Sequence, residues 1–293
     1  MKTSIYLSIY LSIYLFIYLS VSLNGQVINR QEIDKGTGIQ RNASFNVDEI
    51  KVRWKKAALE NCPSVPCVVT PASACGSIST VSDIDGNVYN TVSIGTQCWT
   101  EKNLKVTKYN DNTAIPLDNT YTTGTVSTVW AGLTTGAYAI YGNEASTGAN
   151  ATNYGYLYNW YASKGITTTG STTYKNLCPT GWHVPTDTEW TALTTQLGGI
   201  FAAGTVMKST STLWNVASPP SPGTNTSGFS ALPSGFRLSN GSFSGISDET
   251  ILWSATEVDA SSAYIRYLQA NSGFVNTYGN TKSNGFPVRC LRD

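Results

Sequence analysis

Residues 178–193, CPTGWHVPTDTEWTAL, hold a cysteine, two of the eight tryptophans and the only histidine of the chain. No other stretch constrains the backbone as closely. Thr186-Asp187-Thr188-Glu189 has capping-box spacing: the Thr186 hydroxyl accepts from the Glu189 N–H, and the Glu189 carboxylate accepts from the Thr186 N–H. Pro185 ahead of the cap is placed to pack on Trp190 as a hydrophobic staple does. Trp190, Leu193 and Leu197 make one apolar stripe, and Gly198-Gly199 supplies the stop. The spacing predicts a helix from Thr186 to about Leu197 with Trp190 buried. Trp182 and His183 then lie on the strand or turn that feeds it.

A single histidine excludes a multi-histidine metal site and supports at most one nucleophile–base pair. No GxSxG-type elbow surrounds any serine, and no glycine-rich phosphate loop precedes a helix. His183 is therefore expected to be structural, hydrogen-bonded beside Trp182. Paired carboxylates of the kind glycoside hydrolysis needs have one set of candidates, Glu249 with Glu257 or Asp259.

The chain begins MKTSIYLSIYLSIYLFIYLSVSLNGQ, one lysine before an apolar run that exits through Ser20, Ser22 and Gly25. This describes a secretory signal peptide over residues 1–25; the run is also long enough to anchor in a membrane if it is retained. Residues 26–60 form a charged segment. Its first part, to residue 45, lacks periodicity and reads as disordered. After Asn46 as N-cap, Val47, Ile50, Trp54 and Ala57 fall at helical spacing and predict a short amphipathic helix. Residues 61–80 carry no charge and three prolines, a stiff connector. From residue 81 to 293 the chain is sparsely charged and rich in Gly, Ser, Thr, Asn and aromatics, which fits short strands joined by long polar loops. The net charge of +1 implies no nucleic-acid partner. Six cysteines behind a signal peptide read as disulfides rather than zinc ligands, because their spacings match no CxxC…CxxC pattern.

VSDIDGNVYNTVSIG alternates apolar positions on either side of Asp85-Gly86, a hairpin signature. An EF-hand loop starting at Asp83 would need Gly and Glu where Val88 and Ile94 stand, so calcium lacks a recognisable motif and no cofactor is expected. The long loops hold Tyr121, Trp130, Tyr138, Tyr141, Trp214 and Phe243. Such rings stack on the apolar faces of sugars while nearby Asn and Ser supply hydrogen bonds. Trp130, Trp214, Tyr138 and Tyr141 are the expected binding residues, with Trp130 and Trp214 exposed.

The succession IGTQCWTEKNL (94–104), YGYLYNWYA (154–162), CPTGWHVPTDTEWTAL, GFSALPSGFR (228–237), LWSATE (252–257) and PVRCLRD (287–293) resembles the Fibrobacter succinogenes major paralogous domain, from about Val81 onwards. The resemblance implies a secreted or surface-exposed bacterial protein and no established activity. More distantly, the helix start and final strand are similar to the C-type-lectin-like and formylglycine-generating-enzyme-like folds. That implies an α+β domain with irregular antiparallel strands, few helices and long polar loops. Functional residues do not transfer: the chain has no EPN or QPD tripeptide, Trp214-Asn215-Val216 lacks the Asp of WND, and no cysteine pair lies near its end. The expected disulfides are Cys62–Cys67 across a local loop and Cys75–Cys98 across the hairpin. Cys178–Cys290 follows because a lectin-like fold brings the helix start and final strand together. The function expected is a surface binding or adhesion module, for glycan or another surface protein, without catalysis. The alternative is a hydrolase or other enzyme that uses acidic loop residues on extracellular polysaccharide.

Overall fold

A computed structural model describes residues 27–33, 40–46, 73–122, 124–215 and 222–293. They divide into two compact units, one ending at Pro71 and one beginning at Ala72. The signal segment, the helix read after Asn46 and the Cys62–Cys67 bridge lie outside the described residues.

In the first unit, β1 (Val27–Ile33) and β2 (Gln40–Asn46) pair antiparallel. Residues 34–39 between them lie outside the described residues. The register sets Glu32 opposite Arg41 and Ile28 opposite Phe45, a pairing between strands that periodicity within one strand does not reveal.

The second unit opens with β3 (Thr80–Ser82), β4 (Val88–Ile94) and β5 (Gln97–Thr100), a meander. Its first turn is built by Asp83. One carboxylate oxygen accepts from the N–H groups of Asp85 and Asn87; the other accepts from the Asn87 amide and the Tyr89 hydroxyl. Gly86 turns the chain at φ 82°, where a side chain would be strained. The loops that follow carry α1 (Thr128–Ala131), β6 (Tyr138–Ala139), a 3₁₀ turn (Tyr141–Asn143), α2 (Ala149–Tyr154), β7 (Leu157–Asn159) and α3 (Trp160–Lys164). Then come β8 (Trp182–His183), the longest described helix α4 (Asp187–Gln196) and α5 (Ala203–Met207). The last third is β9 (Ser234–Arg237), β10 (Phe243–Ile246), β11 (Glu249–Glu257), β12 (Ser262–Gln269), β13 (Asn276–Thr281), β14 (Gly285–Phe286) and β15 (Leu291–Arg292).

Two sheets result. The larger runs β13-β12-β11-β9-β14-β7-β6 with β10 beside β9; the smaller runs β3-β4-β5-β15-β8. Pairing is antiparallel except between β9 and β11. The domain is therefore α+β, with short helices and mostly antiparallel strands. The final strand lies inside the smaller sheet, where Leu291 faces Trp99 of β5 on one side and His183 of β8 on the other.

α4 forms as its sequence dictates. Both arms of the Thr186/Glu189 capping box are made, Trp190 and Leu193 are buried, and Gly198 and Gly199 follow at φ 92° and 91°. β11 separates two hydrophobic clusters. Ile251 and Trp253 enter one and Leu252 the other, since alternate strand residues point to opposite faces. Three indole N–H groups gather round it: Trp190 donates to Trp253 O (3.2 Å), Trp160 to Ser254 O (2.9 Å) and Trp253 to Tyr158 O (2.8 Å). Trp99 packs on Trp190 with ring centroids 4.6 Å apart.

Cys75–Cys98 and Cys178–Cys290 are both formed, across 23 and 112 residues of chain. The chain-entropy model assigns roughly 3 kcal/mol to the shorter loop and about 5 kcal/mol to the longer. The double variant Cys178→Ala/Cys290→Ala is accordingly expected to lose more stability in urea than Cys75→Ala/Cys98→Ala. Trp190→Ala should cost about 3–5 kcal/mol and Thr186→Ala about 1 kcal/mol. A Trp190→Ala melt matching that of the parent chain would contradict the core described here.

Candidate functional site

His183 lies between two carboxylates: Nδ1 is 2.6 Å from Asp293 Oδ1 and Nε2 is 3.0 Å from Glu189 Oε1. Glu189 also accepts from the Thr186 N–H and hydroxyl. Burial acts to raise the Glu189 carboxyl, but the Thr186 donors and His183 outweigh it and hold the group below its ordinary value. The histidine thus ties the capping box of α4 to the last residues of the chain. Among the described residues no serine or cysteine thiol is paired with it.

The paired-carboxylate arrangement does not form. Glu249 and Glu257 stand at opposite ends of β11, about 26 Å apart at roughly 3.3 Å per strand residue. Catalytic pairs need about 5–9.5 Å. Glu249 instead accepts from the Tyr267 hydroxyl and the Gln269 amide, Glu257 faces Lys282 at 3.4 Å, and Asp259 closes a turn onto Ser261 and Ser262. The hairpin acids are consumed likewise, Asp85 by the Thr107 N–H and hydroxyl. Among the described residues no group of His, Cys, Asp and Glu is arranged to hold a metal ion.

Two of the expected binding residues are core. Trp130 is fully buried and Trp214 is 7% exposed. Ser127 caps α1 by accepting from the Trp130 N–H, and the Arg237 guanidinium lies 4.2 Å from the Trp130 ring centre. Trp214 donates to Ala231 O and has the Lys208 ammonium over its ring. Only its margin reaches a small pocket of about 180 Å³ with Ser209, Ser211 and Asn215. The physical reason is that a long polar loop has few apolar side chains with which to fasten itself, so its largest ring turns inward. Tyr138 is also nearly buried, stacked on Tyr156 at 5.0 Å.

The remaining loop aromatics do converge. Phe243 of β10 meets Tyr121 edge-on at 5.6 Å and Tyr141 at 5.2 Å, and all three stay part-exposed. Tyr121 and Phe243 line a cleft of about 500 Å³ together with Thr122, Gly142 and Asn143. Asn143 holds the cleft's shape. It sits at φ 56°, a left-handed conformation that Asn tolerates better than most residues. Its amide N–H₂ donates to Asn119 O (3.1 Å) and Tyr121 O (2.6 Å), tying the 3₁₀ turn to the loop across from it. A second cleft of about 460 Å³, lined by Leu117, Asn119, Tyr138, Glu144 and Tyr156, also borders Asn143. Burial raises the hydroxyls of Tyr138, Tyr141 and Tyr156 above their ordinary value, so all three are neutral donors at physiological pH. Sequence reasoning missed Asn143, Asn119 and Glu144. The Tyr-Gly-Asn run is a turn signal, but which loop faces that turn is a tertiary fact.

Comparison with known proteins gives one family: the Fibrobacter succinogenes major domain matches residues 92–292. No curated protein and no solved structure matches the chain.

A group with a lowered carboxyl pKa contributes stability that is present above its unfolded value and is lost as pH falls through the folded one. Glu189 is such a group. Acid titration of unfolding should therefore show a shallower loss below about pH 4.5 in Glu189→Gln than in the parent chain. Identical acid limbs would remove Glu189 from the joint. His183→Gln should lower stability modestly.

Proposed function

The chain belongs to the Fibrobacter succinogenes major domain family, and we propose that on this frame it acts as a secreted or cell-surface bacterial adhesion module that binds glycan without turning it over. The cleft lined by Tyr121 and Phe243, with Tyr141 packed against Phe243, carries the reading. Part-exposed rings beside amide and hydroxyl groups, in a concavity of about 500 Å³, supply the stacking faces and directional hydrogen bonds that sugars require. The acids named for hydrolysis do not meet, which favours binding over catalysis. Two formed disulfides favour an oxidising compartment, in keeping with export through residues 1–25. Among the described residues no helix is long and apolar enough to cross a membrane.

The scaffold is read as C-type-lectin-like. Support comes from the final strand β15 lying between β5 and β8 and from the bridge joining it to the start of the main helix. Calcium plays no part in the reading.

A glycan array probed with the purified chain tests it, in the presence of calcium and of a chelator. Neutral glycans should be retained under both conditions. Tyr121→Ala and Phe243→Ala should each weaken binding about tenfold, on the order of 1 kcal/mol, while His183→Gln leaves it unchanged. An empty array with a fully folded chain would remove the proposal, as would retention that both ring deletions leave intact.

A further inference from the structure

Resting on that glycan reading, we propose that the ligand is a neutral oligosaccharide of several units laid across two adjoining subsites, with Asn143 at the junction. The two clefts, about 500 Å³ and about 460 Å³, share Asn143 in their linings. Each falls within the size range of sites for drug-sized molecules, so one sugar ring leaves most of either unfilled. A chain that continues from one to the other uses both.

The subsites differ in chemistry. On the first side, Tyr121 and Phe243 offer ring faces and edges. On the second, Tyr138 and Tyr156 are nearly covered, and the apolar surface that remains is Leu117, 45% exposed. Polar groups there are Asn119, Glu144 and hydroxyls. At the junction both amide hydrogens of Asn143 are spent on Asn119 O and Tyr121 O. Its Oδ1 is covered and has no hydrogen-bond partner in the protein, and such acceptors are uncommon in folded chains. That oxygen is closed off from the clefts, so Asn143 serves the junction by tying its two walls together through its amide hydrogens.

Charge sets the class of sugar. Among the described residues no lysine or arginine lines either cleft and the one charged lining residue is Glu144, whose Oε2 already accepts from the Asn150 N–H at 2.6 Å. A chain of uronates or sulfated sugars would bring anions to a site with no cation to meet them and one carboxylate to repel them.

Calorimetry on the full chain, with β-1,4-linked glucose and N-acetylglucosamine oligosaccharides of one to six units, tests the inference. Affinity should climb at least tenfold between one and four units and then level off. Leu117→Ala, a surface substitution that leaves folding intact, should erase that climb while leaving the weak binding of short sugars unchanged. Tyr121→Ala should weaken every length. Oligogalacturonates of equal length should bind at least tenfold more weakly than the neutral series. Affinity independent of length, with Tyr121→Ala still damaging, would overturn the two-subsite inference and leave the glycan reading standing. Equal binding of galacturonates would overturn its neutral-sugar half. Failure of every sugar to bind would bring down the glycan reading itself.

Discussion

The guanidinium of Arg289 has been taken out of water, and much of the second unit is arranged to make that tolerable. It is 1% exposed, and a buried charge is costly unless its donors are all met. Nε donates to Asn103 Oδ1, Nη1 to Thr100 O and Phe229 O, and Nη2 to Ser230 O, while the group lies 4.5 Å from the Phe229 ring centre. Those acceptors come from two separate parts of the chain: the stretch from the end of β5 to Asn103 and the 229–230 turn. Burial pushes the Arg289 pKa down, to about 9, which still leaves it cationic at neutral pH. The neighbouring residue completes the closure. Cys290 exchanges hydrogen bonds with Thr100 and is bridged to Cys178. A buried network of this kind rigidifies when every member is satisfied, and here the last strand supplies the cation at its centre.

The same device recurs wherever the chain is irregular. Lys208 donates to the carbonyls of Gln269, Ala270 and Ser272; Arg237 to those of Gly241 and Asp118; Lys282 to that of Ala260. Arg266 spans Asp187 and Thr191 of α4. Backbone carbonyls outside ladders and helices must still find donors, and a domain of long loops has many of them. A cation with three to five donors gathers several at once. This is how a sparsely charged domain comes to place five of its basic side chains in its interior, and why its short helices and strands suffice.

What could be read from the sequence was what short-range chemistry decides. The capping box, the glycine stop, the Asp83 hairpin and the Cys75–Cys98 closure each depend on residues within about two dozen positions. The Cys178–Cys290 bridge was legible only through resemblance. The burial of Trp130 and Trp214 was not legible, because a ring in a polar loop looks alike whether it points out or in. What turns Trp130 inward is Arg237, more than a hundred residues away. The β1–β2 pairing escaped for a similar reason, since it is a register between strands.

The motifs that carry the family resemblance are occupied with the frame. Trp99, Asn103, Asn159, Trp190, Trp253 and Arg289 are all buried or nearly so, and each has a structural partner. The cleft is made by other residues, on loops and at a strand edge, as is common where a rigid scaffold presents a variable surface. Frame and cleft meet at one place. Arg237, the last residue of the GFSALPSGFR motif, touches the Trp130 ring, the Phe243 ring (5.1 Å) and Asp118. Asp118 in turn accepts from Thr120, next to Tyr121. Trp130 therefore stands one layer beneath the aromatic cleft and holds up its floor. Phe243 packs against the small cluster that Trp130 forms with Ala137 and Ala139, so the buried ring bears on the cleft's shape through Phe243.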